Sequence, residues 1–252
     1  MTALLDVRDI SKTYGGITAL SNVSFQVPAA QVVALVGDNG AGKSTLVKTI
    51  SGIVAPDSGE ICVAGQRLAS ATPAAATALG IQTVYQDLAL CDNLDTVQNL
   101  FLGRELVQPL LMGRRLRRAA MEQRTREVLA GLDVRIRDLS VPIGNLSGGQ
   151  RQSVAVCRAI LADPRLVMLD EPTAALGVAQ RKQVLALIER LKAQGRGVIV
   201  ISHDLGDVQH VADRVIVMRL GRKVGELTRG QFSRDDLVAL ITGSRETMEQ
   251  AQ

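Results

Sequence analysis

The chain has 252 residues, of which 46% are hydrophobic and 21% charged. This composition is close to that of an average soluble domain and excludes disorder as the main state. At roughly 150 residues per domain, the length allows one or two domains with a large apolar core. The net charge of +4 is too small to indicate a nucleic-acid binder by itself, and three Phe, two Tyr and no Trp leave almost nothing for a base-stacking platform.

The cysteines and the N-terminus predict where the protein resides. Cys62, Cys91 and Cys157 are far apart and odd in number, which favours buried thiols in a reducing cytoplasm over a disulfide framework or a zinc knuckle. The N-terminal sequence MTALLDVRDI contains acidic residues and no long apolar core, so no signal peptide is predicted. No stretch approaches the roughly 18–20 apolar residues of a membrane span. We therefore expect a soluble cytoplasmic protein.

The predicted elements alternate between strands and helices. Short apolar runs predict strands at residues 7–10, 23–27, 31–36, 61–63, 81–85, 166–169, 197–202 and 214–218. Apolar residues at helical spacing predict helices at 46–50, 74–79, 154–161 and 184–191. Because several strands are almost wholly apolar, both faces of the sheet are expected to be covered, as in a parallel α/β fold.

Two segments differ from this alternation. Residues 100–145 are rich in Arg and Leu, and Met121, Val128, Leu129 and Leu132 share one helical face. We interpret this stretch as an α-helical insertion. Residues 244–252 are polar and are expected to fray.

The first candidate site follows the strand at residues 31–36, where GDNGAGKST matches GxxxxGK[ST] between a strand and a helix. Glycines let backbone N–H groups turn around phosphate oxygens, and the helix N-terminus adds a favourable partial charge. Lys43 is expected to bridge the β- and γ-phosphates, and the Ser44 hydroxyl to bind Mg²⁺. The alternative is a tight glycine turn with an exposed lysine. This predicted phosphate loop comprises Gly37, Asp38, Asn39, Gly40, Ala41, Gly42, Lys43, Ser44 and Thr45.

An acidic pair, Asp170 and Glu171, ends the strand at residues 166–169. Ligands bind at the carboxyl edge of a parallel sheet. Asp170 is expected to hold Mg²⁺, directly or through water, and Glu171 to orient and deprotonate the attacking water. The alternative is a solvated acidic turn, which the phosphate loop upstream disfavours.

Residues 146–150 form the most discriminating sequence, LSGGQ. Ser147, Gly148, Gly149 and Gln150 open a predicted helix, so they form a second candidate anion site. Two phosphate cradles can act on one γ-phosphate only from opposite sides. The alternative is a glycine-rich helix start.

Together these motifs resemble the nucleotide-binding subunits of ABC transporters, over residues 4–243. The resemblance implies an α/β fold: a P-loop NTPase cassette with a mixed β core, an N-terminal antiparallel β subdomain and an α-helical subdomain. It implies one domain, with a RecA-like core at residues 4–99 and 163–243 and the helical subdomain at 100–162. In that family two subunits pair head to tail, and each LSGGQ closes on the ATP held by the partner's phosphate loop.

The resemblance also implies roles for three isolated residues. Tyr14 matches the aromatic residue that stacks on adenine, Gln86 the glutamine that touches Mg²⁺ and relays to the membrane subunit, and His203 the histidine that contacts the γ-phosphate. Their alternatives are a packing tyrosine, a polar loop residue and a core histidine. The implied catalytic residues are Lys43, Gln86, Glu171 and His203, and the implied Mg²⁺ ligands are Ser44, Gln86 and Asp170.

A finer resemblance is to importers of simple sugars. GDNGAGKST, TVYQDLALCDNLDTVQNLFLGRE and EPTAALGV are similar to cassettes of monosaccharide importers, in particular the single-cassette branch that includes fructose-type systems. This implies an ATPase with ATP and Mg²⁺ as cofactors, paired with a second copy beneath a sugar permease at the cytoplasmic face of the inner membrane. A separate periplasmic or extracellular binding protein would deliver the sugar, and no nucleic-acid partner is expected.

One position departs from the family pattern. Most cassettes have Ser-Ala-Leu-Asp after the acidic pair, whereas residues 174–177 here are AALG. The Asp that bridges the two ATP sites is replaced by Gly177, so coupling between the sites is predicted to be weak.

Other functions remain open to the sequence. A soluble ABC ATPase acting on ribosomes or DNA normally has tandem cassettes or long coiled-coil insertions, and this sequence shows neither. A GTPase needs an NKxD sequence for guanine, which this sequence lacks. A degenerate regulatory cassette is supported by Gly177 and opposed by the intact Lys43, Glu171 and His203. The arginines among residues 114–118 are expected to form a solvated helix face, or else to contact the permease, anionic lipid or nucleic acid.

Overall fold

The computed structural model describes residues 3–110 and 113–244. Its strands are β1 (Leu5–Tyr14), β2 (Ile17–Val27), β3 (Val32–Val36), β4 (Ser58–Val63), β5 (Gln66–Arg67), β6 (Ile81–Val84), β7 (Val107–Leu110), β8 (Gly113–Leu116), β9 (Leu166–Asp170), β10 (Gly197–Ile201), β11 (Arg214–Arg219) and β12 (Arg222–Thr228). Its helices are α1 (Lys43–Ile50), α2 (Pro73–Ala78), α3 (Thr96–Phe101), α4 (Arg118–Gly131), α5 (Gly148–Ile160), α6 (Val178–Ala193), α7 (Leu205–Val211) and α8 (Arg234–Thr242). Most of the predicted polar tail, residues 245–252, lies outside the described residues.

The central sheet has the strand order β12-β11-β3-β10-β9-β6. Strands β11, β3, β10, β9 and β6 run parallel, and β12 pairs antiparallel at one edge. Parallel neighbours need crossover connections, which the intervening helices supply. The predicted α/β fold with a mixed β core is confirmed.

Strand β3 shows why the central strands are apolar throughout. All five of its residues are buried. Val33 and Leu35 belong to a hydrophobic cluster with β1, β2 and α1, whereas Val32 belongs to a second cluster with residues of α3, α4, α5 and α6. Because successive side chains point to opposite faces and both faces are covered, no position on this strand favours a polar residue.

A second sheet, of order β2-β1-β4-β5, is antiparallel and lies against the first of these clusters. Strands β1 and β2 extend further than predicted and form a hairpin in which Tyr14 is opposite Ile17. Leu20, Val23 and Phe25 of β2 are buried in the shared core. The predicted N-terminal antiparallel β subdomain is confirmed.

The predicted helical insertion differs from the structure in one segment. Strands β7 and β8 form an antiparallel hairpin with Val107 opposite Leu116. Pro109 has no N–H for a helical hydrogen bond and Gly113 is a poor helix former, so a continuous helix through this segment is unfavourable. The apolar face predicted for the following helix is buried, at Met121, Val128, Leu129 and Leu132.

The arginines among residues 114–118 do not share one helical face. Arg114 and Arg115 are exposed on β8, and Arg117 precedes α4. An Arg118 guanidinium nitrogen lies 2.6 Å from a carboxylate oxygen of Asp95, which is buried and caps the start of α3. Arg118 therefore ties α4 to α3, although its side chain is still mostly exposed, like those of the other arginines in this segment.

Helix α3 begins at Thr96, before the predicted subdomain boundary at residue 100. Its buried Val97, Leu100 and Phe101 pack in the same cluster as residues of α4 and α5. Helix α3 therefore packs with the helical region, against α4 and α5.

The cysteines are free, and only Cys157 is buried as expected, while Cys62 and Cys91 are half-buried. Burial raises the pKa of the Cys157 thiol to about 12, so this thiol is unreactive. Among the helices at residues 3–110 and 113–244, none is both long and apolar enough to cross a membrane.

Candidate functional site

Four neighbouring strands of the central sheet lead into the predicted site residues. Strand β3 precedes the phosphate loop, β6 precedes Gln86, β9 ends at Asp170, and β10 precedes His203. These strands are adjacent in the order β3-β10-β9-β6 and run parallel, so their carboxyl ends meet at one edge. A cavity of about 350 Å³ at this edge is lined by Lys43, Gln86, Asp170, Glu171 and His203, together with phosphate-loop residues. The structure thus brings these five predicted residues together.

The phosphate loop depends on glycines with left-handed backbone conformation. Gly40 has a φ of +80° and Gly42 a φ of +97°. A Cβ added to Gly42 would lie 2.6 Å from the carbonyl oxygen of Ala19, so no other residue fits there without movement. Helix α1 starts directly after Gly42, and no side chain caps its first turn. Its first N–H groups are therefore available to an anion in the cavity.

Lys43 lies back over the loop that precedes it. Its Nζ donates to the carbonyl oxygens of Gly37, at 2.6 Å, and Asp38, at 2.9 Å. Burial lowers the pKa of Lys43, while the negative charges of Glu171, Asp38 and Asp170 oppose that shift. Charge-assisted hydrogen bonds are stronger than bonds to neutral carbonyls, so a phosphate in the cavity is the better partner for this ammonium.

The acidic pair is crowded at the sheet edge. Burial raises the pKa of Asp170, repulsion from Glu171 raises it further, and Lys43 acts in the opposite direction. Two adjacent carboxylates in a half-buried position are stabilised by a nearby cation. The arrangement therefore suits a positively charged ligand beside Asp170.

The donor atoms around Asp170 fit Mg²⁺. The Ser44 hydroxyl, the Gln86 amide oxygen and the Asp170 carboxylate line the same cavity, and Mg²⁺ prefers such hard oxygen ligands together with phosphate oxygens. In residues 3–110 and 113–244, no group of three or more His, Cys, Asp or Glu side chains could hold a metal.

Glu171 and His203 form a direct pair. The Nδ1 of His203 lies 2.8 Å from Oε2 of Glu171, with His203 74% exposed and Glu171 only 16% exposed. Glu171 has a φ of +49°, which is uncommon for a residue other than glycine. Its backbone N–H donates to the carbonyl oxygen of Ile201 at 3.0 Å. The end of β10 and the imidazole therefore hold Glu171 from two sides.

Tyr14 lies near the cavity but does not line it. The residue is 47% exposed, and the ammonium of Lys12 lies 5.6 Å from the ring centroid. Ile17, opposite Tyr14 in the β1–β2 hairpin, does line the cavity and is 74% exposed. An exposed apolar side chain at the mouth of a polar cavity suits the face of a nucleotide base.

The LSGGQ residues lie away from their own phosphate loop. Ser147 and Gln150 line a separate cavity of about 640 Å³ between α5 and α6. The Ser147 hydroxyl accepts a hydrogen bond from the Gln150 N–H, and the Gln150 side chain accepts one from the Ser147 N–H. This capping box confirms the predicted helix start. Gly148 and Gly149 follow in the first turn, and the Gly149 backbone packs against Gln180 of α6.

Gly177 stands at the N-terminal cap of α6, with a φ of −68° and a ψ of 161°. Any residue adopts this conformation. A Cβ at this position would meet only the Gln180 side-chain oxygen, at 4.0 Å. The backbone therefore does not require glycine here, in contrast to Gly42.

Sequence analysis missed the β2 residues that complete the cavity: Ile17, Thr18 and Ala19. They come close to the phosphate loop only because the antiparallel sheet packs beside it, as the contact between Ala19 and the Gly42 position shows. Nothing in the local sequence distinguishes them from other strand residues.

The fold and site define a P-loop nucleotide-binding protein. Residues 20–174 match the family model described as ABC transporter. The chain is 42% identical over 252 residues to the fructose import ATP-binding protein FrcA of Rhizobium meliloti, covering 98% of this chain and 97% of that protein. It is 39% identical over 242 residues to the xylose/arabinose import ATP-binding protein XylG of Sulfolobus acidocaldarius, covering 96% and 95%.

A solved structure agrees with this assignment. The dimeric post-hydrolysis state of the ATP-binding cassette MJ0796, bound to ADP and Pi, superposes with a TM-score of 0.73 at 25% identity, covering 90% of this chain and all of that one. The chain therefore belongs to the ABC transporter family, as an ATP-binding cassette.

We expect Gly42→Ala to weaken ATP binding by about 5–150-fold. The new Cβ meets the Ala19 carbonyl and the backbone is strained at positive φ, and strain of this kind costs about 1–3 kcal/mol. Titration with a fluorescent ATP analogue measures the loss. Gly16→Ala, where the Cβ would meet nothing within 4 Å, is the matched control and should bind normally. Equal affinities for the two variants would contradict the role assigned to this glycine.

Proposed function

We propose that this cassette hydrolyses ATP to energise the import of a simple sugar through a membrane permease, with two copies pairing head to tail. The proposal rests on one observation. The phosphate loop, the acidic pair, Gln86 and His203 lie together at one sheet edge, whereas LSGGQ lines a different cavity. The names of the two relatives support sugar import, and they differ in the sugar.

In the proposed mechanism the chain binds the triphosphate through α1 and Lys43. The ammonium exchanges its two loop carbonyls for phosphate oxygens, and the uncapped N–H groups of α1 add further donors. Ser44, Gln86 and Asp170 would hold Mg²⁺, which neutralises charge on the transferring phosphate. Tyr14 and Ile17 would flank the base.

Glu171 is proposed to orient the attacking water and accept its proton. The carboxylate is mostly buried, lies beside Asp170 at the edge of the cavity and is held by the imidazole of His203. Catalysis then depends on positioning and electrostatics rather than on covalent chemistry. His203, whose side chain is exposed, would contact the γ-phosphate as well.

LSGGQ is proposed to act on the nucleotide of a second copy. Ser147 is exposed and lines a cavity that shares no residue with the phosphate-loop cavity. A head-to-tail pair allows this helix start to face the γ-phosphate from the opposite side, where the amides after Ser147 add an anion site. The dimeric cassette reported above supports such a pairing.

The proposed setting is the cytoplasmic face of the inner membrane, where the cassette is peripheral. The permease would contribute the membrane-spanning part, and a periplasmic or extracellular binding protein would supply the sugar. The choice of sugar would then belong to those partners.

We expect Glu171→Gln to reduce ATP turnover by about 10²–10⁴-fold, the usual effect of removing a general base, while ATP affinity is retained. Lys43→Ala should lose affinity as well, because it removes the ammonium at the phosphates. Phosphate release and nucleotide titration separate the two effects, with Arg126→Ala on the exposed surface of α4 as the control that leaves both unchanged. Equal loss of affinity in the Glu171 and Lys43 variants would contradict the role given to Glu171.

With Glu171→Gln, ATP should accumulate a dimer that is visible by size-exclusion chromatography. Adding Ser147→Arg should keep this protein monomeric, because the arginine side chain fills the space meant for the partner's phosphate. Ser140→Arg, at another exposed serine, is the control and should dimerise. Normal dimerisation of the Ser147→Arg protein would refute action across the dimer.

Cooperativity of ATP hydrolysis should be weak, with a Hill coefficient nearer one than two, since the bridging Asp is absent. The coupling free energy between two sites is typically about 1–3 kcal/mol, and we expect a value at the low end of this range here. Gly177→Asp fits the backbone and should raise the Hill coefficient in the complex with the permease, whereas Gly177→Asn, similar in shape but uncharged, should raise it less. A steeply sigmoidal wild type would contradict this prediction.

A further inference from the structure

An arginine of α6 holds the start of α7. A guanidinium Nη2 of Arg181 lies 2.5 Å from Oδ1 of Asp204, and its Nε lies 2.5 Å from Oδ1 of Asp207. The Asp207 side chain is only 5% exposed, and its other oxygen has no hydrogen-bond partner in the part of the chain that the structure describes. Arg181 therefore supplies the positive charge that keeps a buried carboxylate in place.

Asp204 fixes the turn that contains His203. Its carboxylate accepts hydrogen bonds from the N–H groups of Gly206, at 2.9 Å, and Asp207, at 3.1 Å, and so caps α7. Its own N–H donates to the hydroxyl of Ser202 at 3.0 Å, and Ser202 is buried. The residues on both sides of His203 are thus held by hydrogen bonds.

His203 itself has little packing to hold it. Its side chain is 74% exposed, so its direction depends on its backbone and on the contact with Glu171. A shift of the turn would move the backbone that carries the imidazole relative to the end of β9, which Glu171 follows. The imidazole–carboxylate contact is therefore sensitive to whatever anchors Asp204.

We propose that Arg181 is a positioning residue for ATP hydrolysis, which fixes the turn at Asp204 and Asp207 so that His203 stays against Glu171. This inference rests on the proposed function. Arg181 does not line the phosphate-loop cavity and acts only through its neighbours. The planar guanidinium fork matches two carboxylates at once, which a lysine ammonium does not.

The same arginine links two segments of the site. Its backbone N–H donates to the carbonyl oxygen of Gly177 at 2.9 Å, in the first turn of α6. One residue thus connects the segment after the acidic pair with the turn that holds His203.

Kinetics of ATP hydrolysis form the first test. We expect Arg181→Gln to lower kcat by about 10–100-fold, the effect of a misplacement of about 1 Å, with KM for ATP unchanged because the phosphate loop is untouched. Arg181→Lys should lie between this variant and wild type. Arg190→Gln is the matched control: Arg190 is on the same helix but pairs with Asp133 and the Leu132 carbonyl instead of with Asp204 and Asp207. A normal kcat in Arg181→Gln would overturn the proposal.

A double variant separates positioning from stability. Arg181→Gln combined with Asp207→Asn removes the unpaired buried charge, so thermal stability should recover while kcat stays low, because Asp204 still lacks its contact with the arginine. Recovery of kcat together with stability would show that Arg181 only stabilises the fold.

A spectroscopic test needs no ATP. The chain has two histidines, His203 and His210, so NMR of the nucleotide-free protein gives two imidazole signals that His210→Gln assigns. Arg181→Gln should shift the His203 signal, as Glu171→Gln does, and Arg190→Gln should not. An unmoved His203 signal would overturn the positioning role. A wild type that hydrolyses no ATP would instead refute the proposed function, and this measurement would still stand.

Discussion

The parallel register of β3, β10, β9 and β6 is the constraint on which the site depends. Each strand is followed by a polar turn, and parallel pairing brings those turns to one edge although they are far apart in the chain. A single antiparallel strand among the four would carry its turn to the opposite edge. The apolar faces of these strands, buried between the antiparallel sheet and the helices, hold the register.

Helices α1, α5 and α7 differ in how their first turns are capped. Helix α1 has no side-chain cap after Gly42, so its N–H groups remain for a ligand. Helix α5 has a complete capping box from Ser147 and Gln150, and α7 is capped by Asp204. The helix that follows the phosphate loop is thus the one left open, while the other two are stabilised by caps from their own chain.

The electrostatics of the site are balanced only in part. Lys43 lies among the charges of Glu171, Asp38 and Asp170, and burial disfavours the charged form of both Lys43 and Asp170. A nucleotide with its metal adds both signs of charge at the same place. The cavity is therefore organised before binding, but its charges gain their partners only on binding.

Sequence alone determined the chemistry and the class of fold, because backbone requirements leave local patterns: glycines for the phosphate loop, apolar runs for covered strands, an acidic pair at a strand end. The predicted helix was wrong for residues 107–116, where Pro109 disfavours a helix and the structure has a hairpin. The sequence also did not reveal the role of Arg118, because its partner Asp95 lies earlier in the chain. Tertiary structure alone decided that Ile17 borders the nucleotide cavity and that Arg181 holds the turn beside His203. Those contacts join segments distant in sequence, and only packing of the sheets and helices brings them within reach.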